Sequence, residues 1–528
     1  MIIRNITVET IGFEFSIYGK EKPIIQKVGK IANKLHTNTR EKTIRQHLFI
    51  KPNEKLNPYK VGDNERFLRD QQFILESRIV VTPVAGTDSV DLAVITRDVF
   101  SIGGSVGGSF PTAPLFKVYD ANIDGRGQGF EFDILFDADR TPKTGIGVAY
   151  TKSSLLGSLA DLSIYYTQLN SGLSFGEEIE YSTGINLERP LVSPYSKWAG
   201  GAYWSQNWSK NVYSRPDSLF LDYKYNASNL WAGYNFGSEK ELRDRRREFL
   251  ALRIFDGYFL DHPDQEVTST ERRYNNGSGL LAQFTLYEQD FIKTQYVYGF
   301  GRTEDIPKGY NMSATLGYTK IMGIERPYTD MSLIYDGASK SGSFYNVSLE
   351  AASYFRNGAW EDGVIQTGGT YNTPAFPIGK YKIRSSASGY FTQLFDRTTN
   401  DWLTIRGNII PGLRVEEVDA TQRISLGFES TLFTPWSLIG FRIAPFSSIY
   451  WAKLKCVSCE DKYQNYTGFS LGLRVRNENL IFGTVEVKGT YIPTDDDGNS
   501  KFAFSIRKNL RFRKSDVYVT APDFLNYN

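Results

Sequence analysis

From Phe100 to the end of the chain, apolar and polar residues alternate with a period of two, and helical periodicity is almost absent. Phe130, Phe132, Ile134 and Phe136 alternate with Glu131, Asp133 and Asp137. The pattern returns at Leu162, Ile164 and Tyr166, at Met312, Ala314, Leu316 and Tyr318, and at Tyr345, Val347, Leu349 and Ala351. Period two places one set of side chains on each face of a strand. Counting runs bounded by turn signals gives about twenty strand-like segments. An open sheet of that size leaves two unpaired edges, so the pattern favours a closed barrel.

Composition narrows what such a sheet can be. Aromatic residues make up 14% of the chain, yet mean hydropathy is −0.36 and no apolar run reaches the length of a membrane helix. Two classes satisfy both facts: a soluble all-β protein, and a membrane barrel in which only alternate residues face lipid. The formal net charge of +2 gives no drive toward nucleic acid. The two cysteines, Cys456 and Cys459, form one C-x-x-C without a second pair of ligands, so zinc is not expected. They read either as a small local disulfide or as two surface thiols. Met1-Ile2-Ile3-Arg4 runs directly into a strand pattern without the layout of a signal peptide, as expected for a mature or trimmed exported chain.

Residues 1–99 have a different texture. Ile3 to Ile11 alternates, with Ile6 and Val8 on one face. Val28, Ile31 and Leu35 then recur at helical spacing, Thr39 is placed to cap a piece carrying Ile44 and Leu48, and Asp63 another carrying Phe67 and Ile74. Two strands follow, Arg78 to Val84 and Val90 to Arg97, giving the order β-α-α-β-β. His36 and His47 have no third ligand nearby and read as helix-surface or internally satisfied histidines.

Short stretches across the chain carry a family likeness. They are Asn33-Lys34-Leu35-His36-Thr37-Asn38-Thr39-Arg40-Glu41 with Ile44-Arg45, then Glu65-Arg66-Phe67-Leu68-Arg69. Asp120-Ala121-Asn122-Ile123-Asp124-Gly125-Arg126-Gly127-Gln128 and Thr151 to Ser158 continue it, and Thr404-Ile405-Arg406-Gly407-Asn408 completes it. Together these resemble the Omp85 superfamily of outer-membrane barrels, in a form with one periplasmic POTRA domain. The resemblance implies an all-β transmembrane β-barrel of sixteen antiparallel strands preceded by a small α+β POTRA domain. It divides the chain into POTRA at 1–99, barrel at 100–514 and a C-terminal tail at 515–528. It implies an outer-membrane location in a diderm bacterium with the POTRA domain in the periplasm. Outer-membrane lipids, unfolded barrel or secreted client polypeptides, and periplasmic or lipoprotein accessory proteins are the partners it implies.

Two sites follow from that likeness. Ile405, Arg406 and Gly407 match the family's inward-folded loop, whose arginine pairs with acidic groups in the lumen. Glu429 is the candidate acceptor, with Glu416, Glu417 and Asp419 as substitutes, because Ser447 to Trp451 lacks the family's aspartate. The second site is a lateral seam. Gly103, Gly104, Gly107 and Gly108 weaken the first strand, which must pair with a last strand bearing Phe502, Phe504 and Ile506 on its lipid face. Lys240 to Arg247 and Glu304 to Tyr310 read as loops, and residues 421–433, 438–452, 465–478, 482–492 and 501–513 as the closing strands.

No catalytic constellation stands out. Gly103 to Gly107 and Gly468 to Gly472 match G-x-S-x-G, but neither precedes a helical pattern and the chain has only three histidines. Asp495-Asp496-Asp497-Gly498 lacks the alternating ligands of a calcium loop. The expectation is therefore a non-enzymatic protein without metal or cofactor. Its implied function is assembly, insertion or translocation of polypeptides, with client strands pairing at the POTRA edge or the seam. The rival class is a passive channel or surface adhesin that keeps the fold without handling clients.

Overall fold

The computed structural model describes residues 1–11, 37–109, 112–173, 178–237, 245–266, 271–399, 401–438, 440–459, 461–480, 483–494, 500–510 and 519–527. The helical spacing at Val28 to Leu35, His36, part of Lys240 to Arg247, and Asp495 to Gly498 lie outside these residues.

The N-terminal module holds β1 (Ile2–Ile11), α1 (Glu41–Gln46), α2 (Pro58–Arg69), β2 (Ile74–Pro83) and β3 (Ser89–Asp98). The sheet order is β1-β3-β2, with β1 parallel and β2 antiparallel to the central β3. Val90, Leu92 and Val94 of β3 face one way and are fully buried, packing with Ile3, Ile6, Ile44 and Leu68 into one core. Both helix starts differ from expectation. Arg40 precedes α1, while Thr39 instead bonds through its N–H and hydroxyl to Asp98. Asn57 caps α2, accepting from the N–H groups of Tyr59 and Lys60, and Pro58 opens the helix with its fixed φ. Asp63 lies inside α2, where its carboxylate meets the barrel.

The barrel begins at β4 (Ile102–Ser109) and ends with Lys501–Leu510. Among the described residues it has twenty strands of eight residues or more, all antiparallel, plus three paired segments of two or three residues. The family count of sixteen is therefore corrected upward: the alternating runs are themselves strands, not loop extensions. The closing strands, Val415–Phe433, Phe441–Cys456, Tyr463–Arg476, Thr484–Ile492 and Lys501–Leu510, fall within a few residues of the sequence reading. Glu304 to Tyr310, expected as a loop, is the start of the strand Glu304–Ile321. Pro307 and Gly309 caused that error. Gly309, with φ of 142° and the Glu288 carbonyl where a Cβ would stand, absorbs a local irregularity that turn residues mark in a strand.

Alternation sorts the side chains into an inner and an outer face. Met312, Leu333 and Leu349 are matched across three adjacent strands and all point outward, exposed. Ile254 and Leu280 do the same beside Tyr318. Leu471 and Phe502 are 73% and 71% exposed. Aromatic pairs mark both rims of this apolar belt: Trp198–Tyr234 and Tyr381–Trp436 on the side of the N-terminal module, Phe355–Trp360 on the other. Apolar rows flanked by aromatic girdles suit hydrocarbon between two interfaces and would aggregate in water. The fold is a transmembrane β-barrel, and no helix among the described residues is long and apolar enough to cross a membrane.

Candidate functional site: the lumen, its mouth and its seam

The module sits on the barrel mouth through two joints. In the first, two stretches singled out in the sequence meet each other. The Gly125 carbonyl accepts from the Arg40 N–H at 2.9 Å and the Thr43 hydroxyl at 2.8 Å. Asn122 donates to the Thr39 hydroxyl and accepts from the Gly127 N–H. Gly125 has φ of 66°, and a Cβ there would stand 2.3 Å from the Asn38 carbonyl. Glycine is thus required both for the backbone conformation and for the close approach.

The second joint is α2, whose charged residues point into the mouth. Asp63 pairs with Arg245 at 2.8 Å and accepts from the Ser193 hydroxyl. Arg66 stacks over Phe291, with Cζ 4.0 Å from the ring centroid, and donates to the Val192 carbonyl. Arg69 grips Asp305 with both ends of its guanidinium at 2.8 to 3.0 Å and holds Glu65 at 2.9 Å. Glu65 also takes Lys293 at 2.5 Å. Burial alone would push the Glu65 carboxyl up. Lys293, the Ile79 N–H and Arg69 together outweigh it and hold the group below its usual range. A cavity of about 600 Å³, lined by Arg66, Arg69, Glu188, Arg302 and Arg476 among others, opens beside the helix. Sequence reading singled out Glu65-Arg66-Phe67-Leu68-Arg69 but not its role, because the partners Asp305, Phe291 and Lys293 lie far along the chain.

The stretch at Ile405 folds into the lumen. Ile405, Ile410 and Leu413 are buried among inward side chains of three late strands, including Ala452, Leu454, Tyr466 and Ile492. The Arg406 carbonyl closes the turn by accepting from the N–H groups of Ile409 and Ile410. At Gly412, a Cβ would stand 2.1 Å from that of Ala503, so the loop lies directly against the last strand. Glu429 is a correction: it pairs with Arg474 at 2.8 Å, and Arg474 also holds Glu486. Asp419 accepts from the N–H and hydroxyl of Ser458 instead. The side chains of Glu416 and Glu417 lie outside the described residues. Arg423 ties the loop to the wall, its guanidinium donating to the Thr404 carbonyl at 2.6 Å. Its position in the same inward row as Glu429 was legible; its partner, a main-chain carbonyl, was not.

At the seam, Lys501–Leu510 lies next to β4 and closes the ring. The other pairs of adjacent long strands carry ladders of at least six matched residues, and this pair too is hydrogen-bonded. The four glycines of β4 do not share one cause. Gly103 lies under the Tyr119 ring, and Gly108, with φ of 80°, closes the hairpin against the Ala113 carbonyl. Gly104 meets only the Lys117 carbonyl, and Gly107 is a plain ladder partner of Leu115. Phe502, Phe504 and Ile506 point outward and are exposed.

Cys456 and Cys459 are joined as a disulfide, with Cα atoms 5.6 Å apart, at the rim far from the module. The nearby Asp419 completes a cluster of potential metal donors, but the sulfurs are committed to each other.

No family model matches the chain, and no curated protein matches it. Among solved structures it resembles BamA from Haemophilus ducreyi lacking POTRA domains 1–3, at 10% identity and a TM-score of 0.38, over 96% of this chain and 84% of that one. It also resembles CdiB from Acinetobacter baumannii, at 9% identity and a TM-score of 0.41, over 96% of this chain and 73% of that one. A bacterial polysaccharide outer-membrane secretin aligns over 62% of this chain and 89% of its own, at 9% identity and a TM-score of 0.32.

Proposed function

We propose that this protein is an Omp85-type outer-membrane barrel that inserts or translocates polypeptides, with the N-terminal module acting as a single POTRA domain on the periplasmic side. The observation that carries the reading is the seam. The first and last of twenty strands are hydrogen-bonded there, and the strand on one side is half glycine, which leaves few side chains to pack across the joint. Unpaired backbone groups in hydrocarbon are costly, so a weakly packed seam, once parted, favours any incoming strand that can satisfy them. The module supplies a second edge: among the described residues no strand pairs with the outer side of β1 beyond Asn5. No nucleotide or cofactor enters the mechanism. The free energy comes from client backbone pairing and from moving alternate apolar side chains into lipid.

The rival reading of an open passive channel fits less well, because the inward loop at Ile405 to Leu413 occupies the lumen. The test is a seam lock. A cysteine at Gly104, bridged by a cleavable bifunctional maleimide to one at Phe502 or Phe504 on the same outward face, should abolish insertion of a barrel client into proteoliposomes. Cleaving the bridge should restore it. Insertion that continues at the same rate through the locked barrel rules the seam out.

A further inference from the structure

The described C-terminal residues, 519–527, have no regular secondary structure and run back inside the barrel. Val519 is buried against Leu191, Trp231, Phe249 and Tyr287. Farther along, Phe524 enters a pocket of inward rings, with centroids 4.9 Å from Tyr328 and 5.3 Å from Phe255. Arg272 closes the pocket, its Cζ 5.3 Å from the Phe524 centroid. The wall also reads the tail's main chain. Arg253 donates to the Pro522 carbonyl at 2.9 Å and to the Asp523 carboxylate at 2.7 Å. The Leu525 N–H donates to the Tyr328 hydroxyl at 2.9 Å. Arg423, which already holds the inward loop, donates to the Tyr527 carbonyl at 2.6 Å. Cavities of about 390 and 380 Å³ flank the segment.

A lumen that needed only filling could use bulky side chains of its own strands. Here the wall offers an aromatic pocket for Phe524, an Arg397 guanidinium 5.9 Å from the Tyr527 ring centroid, and two arginines aimed at main-chain carbonyls. That is how extended peptides are recognised: pockets take alternate side chains, and hydrogen bonds hold the backbone. We propose that Arg253, Phe255, Arg272, Tyr328 and Arg423 form a peptide-binding site in the lumen. Residues 519–527 are its ligand in cis. The site accepts in trans a short extended peptide with two aromatic residues three positions apart, the first preceded by an acidic residue. Tethering gives the tail an effective concentration far above that of a free peptide, so the site is filled at rest and opens when the tail's anchors weaken. The proposal concerns the barrel alone and does not depend on client insertion.

The test uses the full-length chain carrying Phe524→Ala and Tyr527→Ala, with folding verified by heat-modifiable migration on gels. Two readouts follow: conductance in planar bilayers, and binding of a fluorescent peptide with the sequence of residues 519–527. The substituted chain should conduct at least threefold more than the wild type. It should bind the native-sequence peptide at least tenfold more tightly than the same peptide lacking both aromatics, and the bound peptide should lower conductance again. Wild-type conductance together with equal affinity for the two peptides overturns the proposal. Should the double substitution fail to assemble, Phe524→Leu, which keeps apolar volume, is put through the same two measurements, and the same pair of results supports or overturns the proposal.

Discussion

Replacing Arg69 by methionine should loosen the N-terminal module on the barrel mouth without unfolding either. The Arg69 side chain is 3% exposed and Asp305 11%, and the guanidinium makes three contacts of 2.8 to 3.0 Å with that carboxylate. Methionine keeps most of the aliphatic stem but strands Asp305 and removes one of two cations from Glu65. Breaking a buried pair from one side costs about 3–5 kcal/mol, because the remaining charge stays desolvated. The mouth admits water, so the lower end applies: about 3 kcal/mol, or roughly 100-fold in the docked-to-undocked ratio at 1.4 kcal/mol per decade. Asp63–Arg245 and the joint at Gly125 remain, so the module stays tethered but opens more often. Hydrogen exchange of α2 in nanodiscs reads the opening directly. A double-mutant cycle with Asp305→Asn isolates the pair, and a coupling of about 2 kcal/mol is expected. A coupling below about 0.5 kcal/mol, the level of an exposed ion pair, refutes the idea that this contact holds the module in place.

Other perturbations follow from the same structure. His47 is 1% exposed between the rings of Phe67 and Phe73, with Nδ1 2.7 Å from the Thr43 carbonyl, and burial pushes its pKa down to about 4. A folded value below the unfolded one means stability is lost as pH falls. Between pH 7 and 5 the module should lose about 2 kcal/mol, and His47→Leu should flatten that slope in a melt of the full chain. Arg474→Met leaves Glu429 and Glu486 inside the lumen without their shared arginine, and should cost about 3 kcal/mol or more in barrel stability, measured by urea-dependent gel migration. Gly103→Leu drives a side chain into the Tyr119 ring, where even a Cβ stands 2.5 Å away. It should destabilise the first hairpin by about 1–3 kcal/mol, seen as faster exchange of β4 amides.

The barrel was legible because lipid and lumen impose period two on every strand, and that pattern survives in rows such as Met312 to Tyr318. The residue-by-residue count of about twenty strands was closer than the family's sixteen, since alternation reports this chain directly. Glu304 to Tyr310 misled because Pro307 and Gly309 are turn residues used here inside a strand. Helix starts in the module were missed by one residue at α1 and by several at α2: Thr39 and Asp63 are good caps by type, but both carry out long-range bonds instead. The inward loop could be placed but not its attachment. Arg423 holds a carbonyl, Glu429 serves Arg474, and nothing local in sequence distinguishes such choices. Least legible was the tail, where Phe524 and Tyr527 carry no periodic signal and find their partners far back along the chain.

The measurement that bears most directly on the central claim is depletion of this protein followed by quantitative proteomics of purified outer membranes. A client-handling barrel predicts that a defined set of barrel or surface proteins falls, and that a chain with the seam locked at Gly104 fails to restore them. An outer-membrane inventory unchanged by depletion contradicts the account and leaves a barrel whose seam and docked module serve some purpose other than polypeptide insertion.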